Sequence, residues 1–266
     1  MAPLSGKSAL VLITGANRGI GKEMAIQLTK LLSGADSTFL LLARNELSLQ
    51  EVKEEIIKES PTICVELIIA DLSQPYTGSI DDRIRHLEAR YKFDIRLIIH
   101  NAGSVGDLTR RSSELNDEQQ WASYLQTNLI STIHLNNMIY AALNKEGPVF
   151  IVNITSLLSI KPYPSFTQYS VAKAAREAYF RSFAVEHPKC RVLNYSPGPV
   201  DTQMHTQVVE MSYDEEVKKL FGRRYEQSDA IHRNLLSPCE TVKRFIKIVE
   251  QNSFENGSRV DYFDKW

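Results

Sequence analysis

The stretch Ala9-Leu10-Val11-Leu12-Ile13-Thr14-Gly15-Ala16-Asn17-Arg18-Gly19-Ile20-Gly21 decides how this chain folds. Ala9–Thr14 is a short, almost wholly apolar run, as expected of a strand buried on both faces. Glycines then interrupt it, and residues 22–32 resume as a helical pattern. Glycines allow a tight turn and let the backbone approach a pyrophosphate, while the free N–H groups at a helix start present the positive end of a dipole. The spacing Gly-x-x-x-Gly-x-Gly departs from the commoner Gly-x-Gly-x-x-Gly, and glycine clusters also end strands in ordinary turns. A strand before and a helix after favour the first reading: a dinucleotide cradle made by Gly15, Ala16, Asn17, Arg18, Gly19, Ile20 and Gly21.

Outward from this stretch the rhythm repeats. Short runs rich in Ile, Val and Leu recur at 39–43, 65–70, 95–100, 149–154 and 191–195, each separated by a helix-like segment. In one of those segments Leu47, Val52, Ile56 and Ile57 interleave with Glu51, Lys53, Glu54 and Lys58, which puts the apolar groups on one stripe. Long helical patterns also follow Asn116 and Phe166. Such alternation predicts an α/β chain: one domain over residues 1–266, a Rossmann-like doubly wound parallel sheet of about seven strands with helices on both faces. Residues 197–237 break the rhythm with a long, polar, weakly periodic segment, expected as a substrate-covering loop. His205, at its start, is expected as exposed polar surface.

Composition narrows the function classes. Of 266 residues, 43% are hydrophobic and 24% charged, so the chain can bury a sizeable core. Lys plus Arg number 31 against 32 Asp plus Glu, a net charge of −1 that offers no field for steering onto nucleic acid or a membrane surface. Cys64, Cys190 and Cys239 are odd in number and lack metal-ligand spacing, which argues against a disulfide framework and a metal site. Without a signal-like start or an apolar run of about 18 residues, the expected location is the cytoplasm.

The second strand ends in Ala43-Arg44-Asn45, where NAD-selective sites place an acid for the ribose hydroxyls. Arg44, with Arg18 beside it, suits a 2′-phosphate, so NADPH is the expected cofactor; the alternative is an arginine capping a strand in solvent. Asp71 reads either as a turn former or as a residue against the adenine. Farther on, Ser156 ends the fifth strand, Tyr169 follows thirteen positions later, and Lys173 four after that. Positions i and i+4 share a helix face, so phenol and ammonium project together. A fixed cation favours the phenolate and should draw the phenol below its ordinary pKa of about 10. Tyr169 then suits a general acid that protonates a carbonyl oxygen, with Ser156 hydrogen-bonding the same oxygen. Taken alone, Tyr-x-x-x-Lys is common on amphipathic helices; the serine and the glycine cradle together give it meaning.

These segments, with His100-Asn101-Ala102-Gly103, Asn128 and Pro197-Gly198, resemble the ordered motifs of the short-chain dehydrogenase/reductases along nearly the whole chain. The resemblance implies catalytic roles for Ser156, Tyr169, Lys173 and Asn128, the last orienting a proton-relay water. It implies cofactor contacts from the glycine loop, Arg44, Asn45, Ala70, Asp71, Leu72, Asn101, Lys173, Val200 and Thr202. His100 departs from the family, which usually has asparagine there. The strings 43–45, 101–107, 194–202 and 260–265 further resemble the sepiapterin-reducing branch of the family. That implies reduction of the side-chain carbonyls of a 6-substituted pterin in tetrahydrobiopterin synthesis by a homodimer, with Ser156, Leu157, Tyr169, Gly198 and Asp261 at the substrate. A carboxylate such as Asp261 can accept the guanidine-like fork of a pterin in bidentate fashion; apart from the resemblance it reads as a solvated acid near a chain end. Trp121, Tyr163 and Phe166 could stack on the flat ring or simply pack. A broad NADPH carbonyl or dicarbonyl reductase, and a non-catalytic NADPH-sensing protein, stay open as alternatives.

Overall fold

The computed structural model describes residues 4–32, 36–222 and 235–265. Seven parallel strands form one sheet: β1 (Ala9–Thr14), β2 (Thr38–Ala43), β3 (Cys64–Ile69), β4 (Ile95–His100), β5 (Val149–Ile154), β6 (Cys190–Ser196) and β7 (Arg259–Asp261), in the order β3-β2-β1-β4-β5-β6-β7. The helices are α1 (Gly19–Leu32), α2 (Glu46–Glu59), α3 (Ile80–Arg90), α4 (Glu118–Leu125), α5 (Ser131–Ala142), α6 (Thr167–Glu186), α7 (Gln203–Met211), α8 (Glu215–Gly222) and α9 (Pro238–Gln251).

The period of two along a strand sorts the core into layers. In β1, Ala9, Val11 and Ile13 pack with Met24 and Leu28 of α1, Val52 and Ile56 of α2, and Phe245 of α9. Leu10 and Leu12 face the other way, against Ile84 of α3, Ile139 of α5 and Phe180 of α6. Both faces of the central strands are therefore buried, which is why the sequence there reads as continuous apolar runs. The strand order reverses between β1 and β4, and such a switch point opens a crevice at the carboxyl ends of the strands.

Residues 197–237 differ from the expected loop. Their described part carries α7 and α8, and residues 223–234 lie outside the described residues. The two feet of the excursion are stitched together, Leu236 N–H donating to Pro199 O and Asp201 N–H to Leu236 O. Val208 and Val217 turn inward onto Phe166 and Tyr169. The two helices are nine and eight residues long, about two turns each, too short to stand out in a polar stretch. His205, expected at the surface, is 7% exposed and packs beside Phe221. Phe166 is also core, and Trp121 is anchored by an Nε1–H donated to Leu115 O.

Candidate active site

At the switch point the chain forms a cleft of about 610 Å³, lined by Gly15, Asn17, Arg18, Gly19, Ile20, Arg44, Ala70, Asp71, Leu72, Asn101, Gly103 and Thr202, among others. Its floor is the glycine turn. Gly15 and Gly19 adopt φ of 67° and 55°, the left-handed region that glycine enters without strain. A Cβ on Gly21 would lie 2.2 Å from Gly15 O, so only glycine lets helix α1 start this close to the turn. Asn101 secures the same turn, its Nδ2 donating to Thr14 O and Gly15 O at 3.1 Å each, while Thr14 Oγ1 accepts from the Asn101 and Ala102 N–H groups. The first turns of α1 and α7 both border the cleft, through Gly19 and Gln203, and Thr202 caps α7 by accepting from His205 N–H.

Arg44 is exposed at the cleft's β2 end, near Asp71. A hydrogen bond from the Ser73 backbone, aided by the Ser73 hydroxyl and the Arg44 charge, holds the Asp71 carboxyl below the usual range. Five expected cofactor residues, Ala16, Gly21, Asn45, Lys173 and Val200, do not line the cleft. Ala16 is wholly buried, and Gly21 serves packing. Asn45 caps α2, its Oδ1 accepting from Ser48 N–H, and Val200 is buried in the bridge to Leu236.

The groups expected to do chemistry meet at the end of β5. The Ser156 hydroxyl is near enough to the Tyr169 phenol to favour its ionised form, and it accepts from Leu158 N–H. Lys173 Nζ lies 5.4 Å from the centre of the Tyr169 ring and donates to Ile154 O at 2.6 Å. Asn128 sits in a π-helical turn, Gln126–Ile130, between α4 and α5. Single π turns often mark functional positions. Its amide is engaged with Ser104, Oδ1 accepting from N–H at 2.7 Å and Nδ2 donating to Oγ at 3.1 Å, and Nδ2 also donates to Tyr124 O.

One electrostatic expectation is overturned. Burial pushes the Tyr169 phenol above its ordinary value, opposed by the nearby Ser156 hydroxyl and the Arg176 charge. Lys173 is itself held well below its ordinary value by burial and then by Arg176. The physical reason is depth, since low dielectric disfavours both the phenolate and the ammonium. A general acid must arrive protonated, so a raised phenol suits the reductive direction.

Sequence reasoning missed two residues on the Tyr169–Lys173 helix. Arg176, 1% exposed, donates from Nε to Asn153 Oδ1 and from its two Nη atoms to Ala102 O and His100 O. Glu177 accepts from Thr155 Oγ1 at 2.5 Å and Ser159 Oγ at 2.6 Å, clamping both sides of Ser156. The available signal was periodic: Tyr169, Lys173 and Arg176 at i, i+4 and i+7 form one polar stripe between small residues. His100 is fully buried, with Nε2 against Asn136 Oδ1, and its imidazole is held neutral, at about 3, by burial and the Arg176 charge.

Of the expected substrate residues, Leu157 is exposed beside Ser156, while Gly198 and Asp261 lie at the ends of β6 and β7. Gly198, with φ of 73°, packs against Leu236 and the ring of Phe263. Asp261 is buried and engaged: Oδ2 accepts from Ser196 Oγ at 2.6 Å, Oδ1 accepts from Phe263 N–H, and Arg259 Nη1 lies 3.4 Å away.

A nucleotide-sized cleft at a switch point, with serine, tyrosine and lysine converging beside it, defines a class of oxidoreductase. Residues 9–212 match the short chain dehydrogenase family. The chain is 32% identical to the sepiapterin reductase of Rattus norvegicus over 260 residues, covering 96% of this chain and 97% of that one. It is 31% identical to the sepiapterin reductase of Xenopus laevis over 261 residues, covering 97% and 96%. Among solved structures, a short chain dehydrogenase from Shigella flexneri, complexed with NADP, superposes with a TM-score of 0.76 at 23% identity over 98% of this chain and 99% of that one. The chain belongs to the short-chain dehydrogenase family and is an oxidoreductase of that family. Among the described residues no helix is long and apolar enough to cross a membrane.

Proposed function

We propose that this protein uses NADPH to reduce the side-chain carbonyl of a 6-substituted pterin, sepiapterin or 6-pyruvoyl-tetrahydropterin, in tetrahydrobiopterin synthesis. The observation that carries the reductase reading is the convergence of Ser156, Tyr169 and Lys173 at the end of β5, with Lys173 Nζ 5.4 Å from the centre of the Tyr169 ring, beside the glycine-floored cleft. The cleft fits the cofactor, because Gly15 and Gly19 turn the backbone along its floor in the left-handed region and the first turn of α1 borders it. Gly19 and Ile20 would hold the pyrophosphate, Arg18 and Arg44 a 2′-phosphate, and Thr202 the nicotinamide end. NADPH, when bound, supplies the hydride. Ser156 Oγ donates to the substrate's carbonyl oxygen, and Tyr169 gives that oxygen its proton. Lys173 braces the end of β5 through Ile154 O. Asn128 orders the Ser104 segment beside Lys173, where a proton relay would run.

Near-full-length similarity to two sepiapterin reductases supports the pterin. So does the position of Asp261: β7 lies two strands from β5, about 10 Å across the sheet, a reach that suits a bicyclic ring carrying a short side chain. A homodimer acting in the cytoplasm is part of the same proposal and rests on the family resemblance of the sequence motifs. One observation favours a second reading, a broad carbonyl or dicarbonyl reductase: the Asp261 carboxylate already has partners within the chain. The deciding experiment follows loss of NADPH absorbance with sepiapterin and with a simple diketone, each repeated with NADH and with Tyr169→Phe. Sepiapterin turnover far above diketone turnover supports the pterin reading. Equal turnover favours the broad reductase, and no consumption of NADPH with any carbonyl leaves a nucleotide-binding protein without chemistry.

A further inference from the structure

Ser156 stands where the chain leaves β5, and the turn that carries it is short. A single 3-10 turn, Leu157–Ser159, follows it, and within that turn its hydroxyl is held by one long hydrogen bond, 3.2 Å from Leu158 N–H. That is a weak hold for a group that must share a carbonyl oxygen with the Tyr169 phenol, since a misplacement of about 1 Å can cost 10²-fold in rate. Its neighbours are held from outside the turn. Thr155 Oγ1, just before it, donates to Glu177 Oε1 at 2.5 Å, and Ser159 Oγ, three positions after it, reaches the same oxygen at 2.6 Å. Ser159 Oγ also lies 2.7 Å from Ser156 O, so the carboxylate reaches the Ser156 backbone through one hydroxyl. Lys173 Nζ donates to Ile154 O at 2.6 Å. Residues 154, 155 and 159 are thus all fastened to α6, the helix that carries Tyr169. The Glu177 side chain is 3% exposed, and a buried carboxylate is costly unless hydrogen bonds compensate it. The cation that reaches it, Arg181, is exposed and 3.6 Å from Oε2, a pair that contributes little. The compensation comes from the two hydroxyls, and both belong to the segment that brackets Ser156.

We propose that Glu177 is a positioning residue for the reduction: it pins the segment on either side of Ser156 to the helix that carries Tyr169, and so fixes where the serine hydroxyl meets the substrate's carbonyl oxygen. The inference rests on the reductase reading above and deepens it. Glu177 acts through Ser156 and not on the substrate itself. Because α6 runs unbroken from Thr167 to Glu186, the phenol and the anchor sit on one rigid element, and the two groups that meet the carbonyl oxygen keep their spacing. The part that matters is the acceptor and not the charge. Both hydroxyls meet one oxygen, Oε1, so a glutamine that places its amide oxygen there keeps both hydrogen bonds.

The test measures kcat and KM for sepiapterin and for a diketone in Glu177→Met and Glu177→Gln, each made in the parent chain and in a Ser156→Ala background. Where steady rates are too slow, single-turnover loss of NADPH absorbance replaces them. The expected result is a kcat lower by about 10- to 100-fold in Glu177→Met, with KM for NADPH little moved and most of the loss restored in Glu177→Gln. Added to Ser156→Ala, Glu177→Met should cost nothing further, because the group it positions is already gone. A merely structural carboxylate would lower kcat by the same factor in both backgrounds. That outcome, or a parent-like kcat in Glu177→Met with only the melting temperature lowered, overturns the proposal. Should Glu177→Met fail to fold, Ser159→Ala, at a half-buried position, removes one of the two hydrogen bonds. It should lower kcat in the parent and leave Ser156→Ala unchanged; equal loss in both, or none in either, overturns the proposal. A crystal structure of whichever variant folds is the second readout. Ser156 Oγ should be displaced from its place in the parent, and an unmoved hydroxyl overturns the proposal. That structure needs no turnover, so failure of the reductase reading shows separately, as wild-type protein that consumes no NADPH with any carbonyl.

Discussion

Asp261 Oδ2 accepts a 2.6 Å hydrogen bond from Ser196 Oγ, which ties the last strand to its neighbour at the end of the sheet that faces the candidate site. The carboxylate has two duties under the pterin reading, one toward the chain and one toward the substrate. An ionised carboxylate offers about four lone-pair positions, enough for both. Asp261→Ala should lower kcat/KM for sepiapterin by roughly 10- to 100-fold, the worth of one charge-assisted hydrogen-bonded contact. Diketone reduction should change far less. Parallel steady-state kinetics on the two substrates decide this, and equal losses on both would assign Asp261 to tail anchoring alone.

Gly21→Ala places a methyl 2.2 Å from Gly15 O, a backbone atom that cannot swing aside. The turn or the start of α1 must move, at a cost of about 1–3 kcal/mol in stability. Thermal unfolding should show the loss, and NADPH titration by fluorescence should show weaker binding. An alanine variant that binds NADPH as the parent does would remove the cradle from the cofactor site.

Arg44→Ala removes the guanidinium that stands at the β2 end of the cleft. Loss of a charged hydrogen bond costs about 1.5–3 kcal/mol, so KM for NADPH should rise roughly tenfold or more while KM for NADH stays put. Steady-state kinetics with both cofactors test it. An equal rise for both would place Arg44 in general contact with the nucleotide and not on its 2′-phosphate.

Burial raises the Tyr169 phenol above its ordinary value near 10. The acid form is the active one in reduction, so kcat/KM should hold level from neutral pH upward and fall only near pH 10 or beyond. A pH–rate profile settles the point; a fall between pH 7 and 8 would mean that the bound cofactor reverses the effect of burial. Tyr169→Phe should lose at least 100-fold in kcat at every pH, the usual contribution of a positioned acid.

Much of this was legible in the primary structure. β1 and the glycines that follow it stood out because burial on both faces forces continuous apolar runs, and because a helix can begin within van der Waals contact of a turn only at glycine. Ser156, Tyr169 and Lys173 were legible through local rules: one helix turn separates the last two, and the serine ends a strand. Residues 203–222 were read as loop because α7 and α8 are only nine and eight residues long, about two turns each, too short for a sustained pattern to build up. His205 was misplaced for the same reason.

The amino-acid order by itself determined the layer architecture, the cradle and the helix face that carries the chemistry, since each follows from contacts among near neighbours or from the period of burial. Tertiary structure alone decided the charges. Whether the Tyr169 phenol rises or falls depends on depth and on Arg176, which is held by carbonyls brought in from β4, 76 positions away in the case of His100. Desolvation is a property of the folded volume, and no spacing along the chain encodes it.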